Sequence, residues 1–527
     1  MYLAPWKPAP YPERVTSSPT TAPSGASHAW RLLREQPRGL YLVAITEFWE
    51  RFSYWGMLGL LVLFLTAPTA TGGFGWSSED ALALYALYTG AVFSAPAVGG
   101  YLASRYFGER RCILWGGVCV AAGHFLLAGP ALYPWLAGQL AGQPIGEWLH
   151  GCGITLGKIW PDAAISSALR SGRCAPQGSG ASLAAAYAMQ AWSFVLGLVL
   201  IVVGTGFIKS TVSSIVGKLY EAGDRRRDEG YGIFMAFIYL GALLSNFVAG
   251  TLGEKVGWHY GFAAAGLGMA GGLAWYVARH KKVLGDIGLA PDRQQVVATR
   301  GAEIRATPVE RARILVAVLM SLFVIVYAVT FYQKGGMLNL ETRTHVDRHV
   351  LGFEVPATWL LSVSTLVFIV LTLPAARLWR SLAARGREPD VVLKLTGGLL
   401  ALAGGYGVLM LGLAEKAASP AQEFSLWWIV AMYAAFAIGD LLVWPTQIAA
   451  VSRLAPARHA AFAVGSWYLT IGIGSWLTGI FGSLASRIGI GPVALSLIAI
   501  TVGSALILWM LRPKLLRLAH GALDSDR

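Results

Sequence analysis

Apolar runs of about 20 residues recur along the whole chain, each long enough to cross a bilayer as a helix. No other feature constrains the fold as tightly, because a spanning helix satisfies its own backbone hydrogen bonds inside hydrocarbon. Composition agrees. Of 527 residues, 55% are hydrophobic and 13% charged, against about 25% charged in ordinary soluble domains, and the mean hydropathy is +0.55. A soluble globular chain is excluded. The net charge of +14 and the pI near 9.7 do not point to nucleic acid. The basic residues lie in short loops between the apolar runs, as membrane orientation requires.

Twelve spans are expected, at 39–66, 79–103, 111–134, 183–209, 231–253, 259–279, 310–333, 357–376, 391–413, 425–450, 460–483 and 490–511. Alternate loops carry Arg105, Arg110 and Arg111; Arg225, Arg226 and Arg227; Arg377, Arg380, Arg385 and Arg387; and Arg453 and Arg458. The opposite loops are poor in Lys and Arg, so both ends are expected inside the cell, in a bacterial inner membrane. The expected organisation is a cytoplasmic tail (1–38) with no secretory signal, a six-helix bundle (39–279), a hydrophilic cytoplasmic linker (280–309), a second six-helix bundle (310–513) and a short cytoplasmic tail (514–527). Two bundles with a site between them is how secondary transporters are built. A long Gly- and Pro-rich connection, 136–182, is expected outside. It holds Cys152 and Cys174, whose spacing allows either a disulfide or two free thiols.

One turn of the first span breaks the apolar pattern. Glu47, Glu50 and Arg51 stand at i, i+3 and i+4 and so project from one helix face. Each such charge costs roughly 2.5–3.5 kcal/mol at mid-membrane, which makes a functional role the default reading. A structural Glu47–Arg51 pair accounts for two of the charges and leaves Glu50 over. The stretch Gly204-Thr205-Gly206-Phe207-Ile208-Lys209-Ser210 lacks the Gly directly before Lys of a phosphate loop. It reads as the end of an apolar helix whose glycines permit close packing, with Lys209 turned to the bundle interior. His124, on the third span, reads as a hydrogen-bonded packing residue. No His-Glu-x-x-His, Cys-x-x-Cys or nucleophile elbow is present, so neither an enzyme nor a metal site is expected.

The run Glu47-Phe48-Trp49-Glu50-Arg51-Phe52-Ser53-Tyr54 resembles the first-helix signature of the proton-dependent oligopeptide transporter family, within the major facilitator superfamily. Gly99 to Arg105 with Arg110 and Arg111, the Gly204–Lys209 stretch, Gly257-Trp258-His259-Tyr260-Gly261-Phe262, Gly439-Asp440-Leu441 with Pro445, and Gly465-Ser466-Trp467 resemble later family motifs in the right order. The resemblance implies an all-α membrane protein with the major facilitator fold, its 12 transmembrane helices in two six-helix bundles. It also implies symport of small peptides or peptide-like carboxylates by alternating access, with the proton as coupling ion and no other cofactor. Proton coupling is then expected at Glu47, Glu50, Arg51 and Lys209. Substrate binding is expected at Tyr54, Trp55, Phe93, Lys209, Tyr239, Tyr332, Ser364, Asp440 and Trp467.

Several of these positions depart from the family pattern. Trp55 and Phe93 stand where Tyr is usual, Leu58 where Arg is common, Tyr239 and Ser364 where Asn is expected, Tyr332 where Glu is expected, and Asp440 is a shortened Glu. Ser104 replaces the loop aspartate, which puts its gating role in doubt. The peptide-clamping end is thinned, and a substrate with a bulky apolar body is expected over a small hydrophilic dipeptide. Counted from these residues, three carboxylates face Arg51 and Lys209, leaving one negative charge for a proton to cancel. Lys209 would pair with Glu50 when the site is empty. The rivals are a carrier or exporter of a non-peptide or modified-peptide solute, and a transport-deficient sensor. The expected partners are the substrate and the bilayer, with no nucleic acid and a single chain as the transport unit.

Overall fold

A computed structural model describes residues 34–68, 71–129, 180–221, 224, 226–289, 291, 307–456 and 460–523. Cys152 and Cys174, nearly all of the expected external loop, residues 1–33 of the tail and residues 292–306 of the linker lie outside the described residues. The first six helices are α1 (Arg38–Thr66), α2 (Ser78–Leu102), α3 (Glu109–Ala128), α4 (Gly180–Lys218), α5 (Arg226–Ser245) and α6 (Trp258–Leu284). The second group is α7 (Pro308–Phe331) with α8 (Met337–His345), then α9 (Ala357–Ala384), α10 (Val391–Ala418), α11 (Leu426–Leu454), α12 (Ala460–Ile488) and α13 (Ile490–Leu518). Among the described residues, 11 helical segments are long and apolar enough to cross a membrane, α7 and α8 counting as one. The 29 residues of α1 make a further span by length, about 43 Å at 1.5 Å per residue; its charged turn lowers its apolar character.

Starts are chemically marked. Thr307 and Glu310 form a capping box at α7, with Pro308 in the first turn, and Ser77 and Asp390 cap α2 and α10. Ends run further than the apolar runs indicate. α4 continues to Lys218, α9 to Ala384 and α13 to Leu518, because a helix leaving the membrane no longer needs apolar residues to continue. Lys209 therefore lies inside α4, not at its end.

The seventh span is the main irregularity. It does not stop at 333 but passes through a tight turn, Tyr332–Gly335, and resumes as α8. Breaking a buried helix frees carbonyls that must find donors. Three tyrosine hydroxyls supply them: Tyr406 donates to Thr330 O at 2.8 Å, Tyr85 to Tyr332 O at 2.8 Å, and Tyr433 to Lys334 O at 3.3 Å. A Cβ at Gly335 would lie 2.6 Å from the Tyr85 hydroxyl that holds this turn, so glycine there lets Tyr85 approach.

Within the first group α1 packs on α5 and α6, and α4 on α2 and α3. Gly204 of α4 lies against the Gly116 carbonyl of α3, so the glycines do serve close packing. His124 is buried against Gly266, yet neither ring nitrogen has a hydrogen-bond partner among the described residues, which corrects the expected hydrogen-bonded role. In the second group α10 packs on α11 and α13, and α9 on α11. The groups meet mainly along α2–α12 and α5–α9.

Ties between the two groups concentrate at the arginine-poor end. Widened turns at Asn246–Gly250 and Leu252–Val256 extend α5 to Glu254. There Glu254 Oε1 accepts from Thr358 N (2.9 Å) and Thr358 Oγ1 (2.7 Å), and Oε2 accepts from Ala357 N (3.0 Å) and Arg343 Nη1 (3.4 Å). One carboxylate of the first group thus caps the N-terminus of α9 in the second, where orphan amides and the helix dipole favour an anion. Lys255 pairs with Glu354, Arg487 with Glu79, and Asn339 donates to Gly59 O. At the arginine-rich end, ties such as Lys218–Glu109 and Arg512–Asp390 run within one group. The cores follow suit. One apolar cluster joins the arginine-poor half of the first group to the second group along its whole length, while Leu40, Val43, Ile113, Val212 and Tyr276 form a separate one in the first group's arginine-rich half.

Candidate functional site

α1 carries its charged turn to mid-depth, with Glu47 and Arg51 roughly 14 and 20 Å along its axis. Arg51 lies between the two carboxylates. Its Nε is 3.2 Å from Glu47 Oε1, and the guanidinium also holds Glu50 Oε2. All three side chains are buried, Glu50 completely. Buried charges are tolerated when paired, but one guanidinium cannot neutralise two carboxylates. Among the described residues, Glu47 Oε2, Glu50 Oε1 and the hydroxyls of Tyr54 and Tyr88 have no hydrogen-bond partner. Tyr54 also lies under the guanidinium, 5.4 Å from ring centroid to Cζ.

α4 supplies the compensating cation. Lys209 Nζ is 4.2 Å from the Phe93 ring centroid and 4.9 Å from that of Tyr468, close enough for cation–π attraction. Glu47 and Glu50 are within its electrostatic range, but it makes no ion pair among the described residues. The expected Lys209–Glu50 pair is not formed in this structure. Arg51, on the same turn as Glu50, takes that carboxylate.

Phe93 connects the two halves of the site, 6.2 Å from Tyr54 and 4.9 Å from Tyr332 between ring centroids. Beside Tyr332, the break in the seventh span turns Lys334 inward, where it is 5% exposed. Its Nζ lies 4.1 Å from the Phe331 ring, 4.6 Å from the Trp55 ring and 3.4 Å from Ser364 Oγ. Asp440 accepts a hydrogen bond from the Tyr327 hydroxyl and acts on Lys334 through space, without a direct ion pair. Tyr239 stacks on Phe368 at 4.3 Å, closing the site between α5 and α9. Trp467 is set one layer back, against Trp444 (4.6 Å) and Tyr468 (5.3 Å); its neighbour Tyr468 is the ring that faces Lys209.

Sequence reasoning passed over Lys334, Tyr468 and Glu254. Lys334 had a signal: it is the only charged residue between Arg313 and Glu341. It also corrects the charge count. Three carboxylates (Glu47, Glu50, Asp440) face three cations (Arg51, Lys209, Lys334), so the expected surplus of one negative charge is absent when all are ionised.

The model of the POT family matches residues 110–285 and 292–494. The chain is 29% identical to the uncharacterised transporter YclF of Bacillus subtilis, over 92% of this chain and 96% of that protein. It is 26% identical to the peptide transporter YePEPT of Yersinia enterocolitica, over 84% of this chain and 86% of the relative. It is also 26% identical to a di-/tripeptide transporter of Lactococcus lactis subsp. cremoris, over 82% and 86%. A crystal structure of a peptide transporter POT in complex with sulfate superposes with a TM-score of 0.71 at 26% identity, covering 92% of this chain and 96% of that one. The family match runs through both helix groups and takes in Lys209, the broken seventh span and Asp440: the chain belongs to the POT family, on the major facilitator fold.

Proposed function

We propose that this protein is a proton-coupled symporter of small peptides, with the substrate carboxylate taken at Lys209 and the proton at the Glu47–Arg51–Glu50 turn. One observation carries the reading: two buried carboxylates share a single guanidinium, and the cation that balances them, Lys209, is held by aromatic rings instead of a carboxylate. A carboxylate arriving at Lys209 cancels that cation, and the turn is left one negative charge in excess. In low dielectric such an excess draws a proton. Substrate and proton then favour each other's binding, as linkage requires. The relatives named as peptide and di-/tripeptide transporters support this reading over the exporter and sensor alternatives.

The arginine distribution supports a cytoplasmic arginine-rich end with both termini inside, and the bacterial relatives support an inner membrane. The ties at the arginine-poor end then describe a state closed to the outside. Alternating access requires those ties to break while the cytoplasmic end closes. The transport unit is a single chain, the activity is transport and not catalysis, and the coupling ion is the proton alone. The aromatic lining of Trp55, Phe93, Tyr332 and Tyr468 favours a substrate with a bulky apolar body. The test is uptake of a labelled aromatic dipeptide into proteoliposomes carrying an inside-alkaline pH gradient. Accumulation above the external concentration, abolished by a protonophore, is expected. Uptake indifferent to the gradient would overturn proton coupling, and loss of both uptake and counterflow would overturn transport.

A further inference from the structure

We infer that Lys334 is a second anion-binding position, and that among peptides of similar apolar bulk those carrying an acidic side chain in addition to the terminal carboxylate are preferred. This rests on the peptide-symport reading and narrows its substrate class. Lys334 is 5% exposed and sits on the aromatic faces of Trp55 and Phe331. An ammonium has three donors, and this one makes a single long hydrogen bond, 3.4 Å to Ser364 Oγ. Among the described residues it has no ion-pair partner. Asp440, the carboxylate that acts on it through space, already accepts the Tyr327 hydroxyl. A buried cation with donors to spare and an aromatic floor is built to receive an oxyanion.

Lys334 follows Tyr332 by two residues, and Tyr332 touches Phe93, whose face carries Lys209. One ligand lying along these rings meets a cation at each end of the Phe93–Tyr332 pair. The α-carboxylate goes to Lys209 and a side-chain carboxylate to Lys334, which leaves the peptide ammonium to Asp440. Such a ligand carries one net negative charge, and the proton that enters with it keeps the interior neutral. A basic side chain at the same place meets Lys334 as a like charge, which disfavours binding.

The test is competition by Ala-Glu, Ala-Ala and Ala-Lys against a labelled acidic dipeptide in proteoliposomes, in the wild type and in Lys334→Gln and Lys334→Arg. The wild type should bind Ala-Glu at least about 10-fold better than Ala-Ala, and Ala-Lys worst, each tenfold being about 1.4 kcal/mol. Lys334→Gln should shrink the Ala-Glu to Ala-Ala ratio by about 10-fold, and Lys334→Arg should keep most of it. Should Lys334→Gln fail to fold, the wild-type order and the Lys334→Arg ratio decide alone. Equal competition by the three peptides in the wild type, or an unchanged ratio in a folded Lys334→Gln, would overturn the inference and leave peptide symport standing. No competition by any peptide would instead overturn the symport reading.

Discussion

Replacing Glu254 with Gln should open the arginine-poor end of the molecule. The carboxylate accepts four hydrogen bonds from the other helix group: two backbone amides, the Thr358 hydroxyl and Arg343. A glutamine keeps one acceptor oxygen and turns an NH2 group toward the other two donors. Two of the four bonds are lost, and hydrogen bonds to a charged group contribute about 1.5–3 kcal/mol each. The Arg343 contact, at 3.4 Å, belongs at the weak end. The loss is therefore about 3–4.5 kcal/mol of the state closed at this end, or about 150- to 2,000-fold in its population relative to the open state. The assay is pulsed electron spin resonance between nitroxides at Thr71→Cys and Leu351→Cys, both exposed and on opposite helix groups, in a background free of native cysteines. Wild type should give a short distance between these sites, and Glu254→Gln should add a substantial longer component. Identical distance distributions would refute the capping argument.

Three further outcomes follow from the same geometry. Tyr85→Phe removes the donor to the Tyr332 carbonyl, and leaving that buried carbonyl unpaired should cost about 1–3 kcal/mol; a melting temperature in detergent equal to wild type would show that the broken span finds another donor. The Glu354 carboxyl is held below its ordinary value, chiefly by the hydrogen bond from Lys255 and also by the nearby Arg348 charge. With the folded value depressed, its contribution is complete above the unfolded value and disappears only as pH falls through the folded one. Glu354→Gln should therefore leave the pH response of transport between about pH 5 and 7 intact, and loss of that response would contradict this. A membrane-impermeant thiol reagent should label Leu351→Cys in intact cells of a cysteine-free background, and labelling only after permeabilisation would reverse the orientation.

Much of the fold and part of the site were legible in the sequence, for identifiable reasons. Apolar length marks a span because hydrocarbon has a fixed thickness, and the arginine loops mark sides. The Glu47–Glu50–Arg51 turn stands out because three charges in one buried turn are too costly to be incidental. The break after Phe331 is different. The glycines at 335 and 336 mark a stop, but not that the chain resumes as α8; the turn is held because hydroxyls from Tyr85, Tyr406 and Tyr433, far away in sequence, donate to its freed carbonyls. Lys334 was missed with it, since a span cut at 333 leaves that residue looking like an ordinary loop cation. Glu254 likewise reads as a boundary charge, and only its place over the α9 N-terminus shows what it holds. Motif position alone also does not tell which of two adjacent aromatics faces Lys209; the fold gives that place to Tyr468, with Trp467 packed beside it.

The most direct test of proton-coupled symport is Glu50→Gln in proteoliposomes, measuring gradient-driven accumulation and substrate counterflow in the same preparation. Glu50 is completely buried and shares Arg51 with Glu47, so the amide keeps the shape of the site and loses only the titratable charge. The expected result is loss of accumulation with counterflow retained. Accumulation at the wild-type level in Glu50→Gln, with Glu47→Gln also active, would contradict proton transfer at this turn.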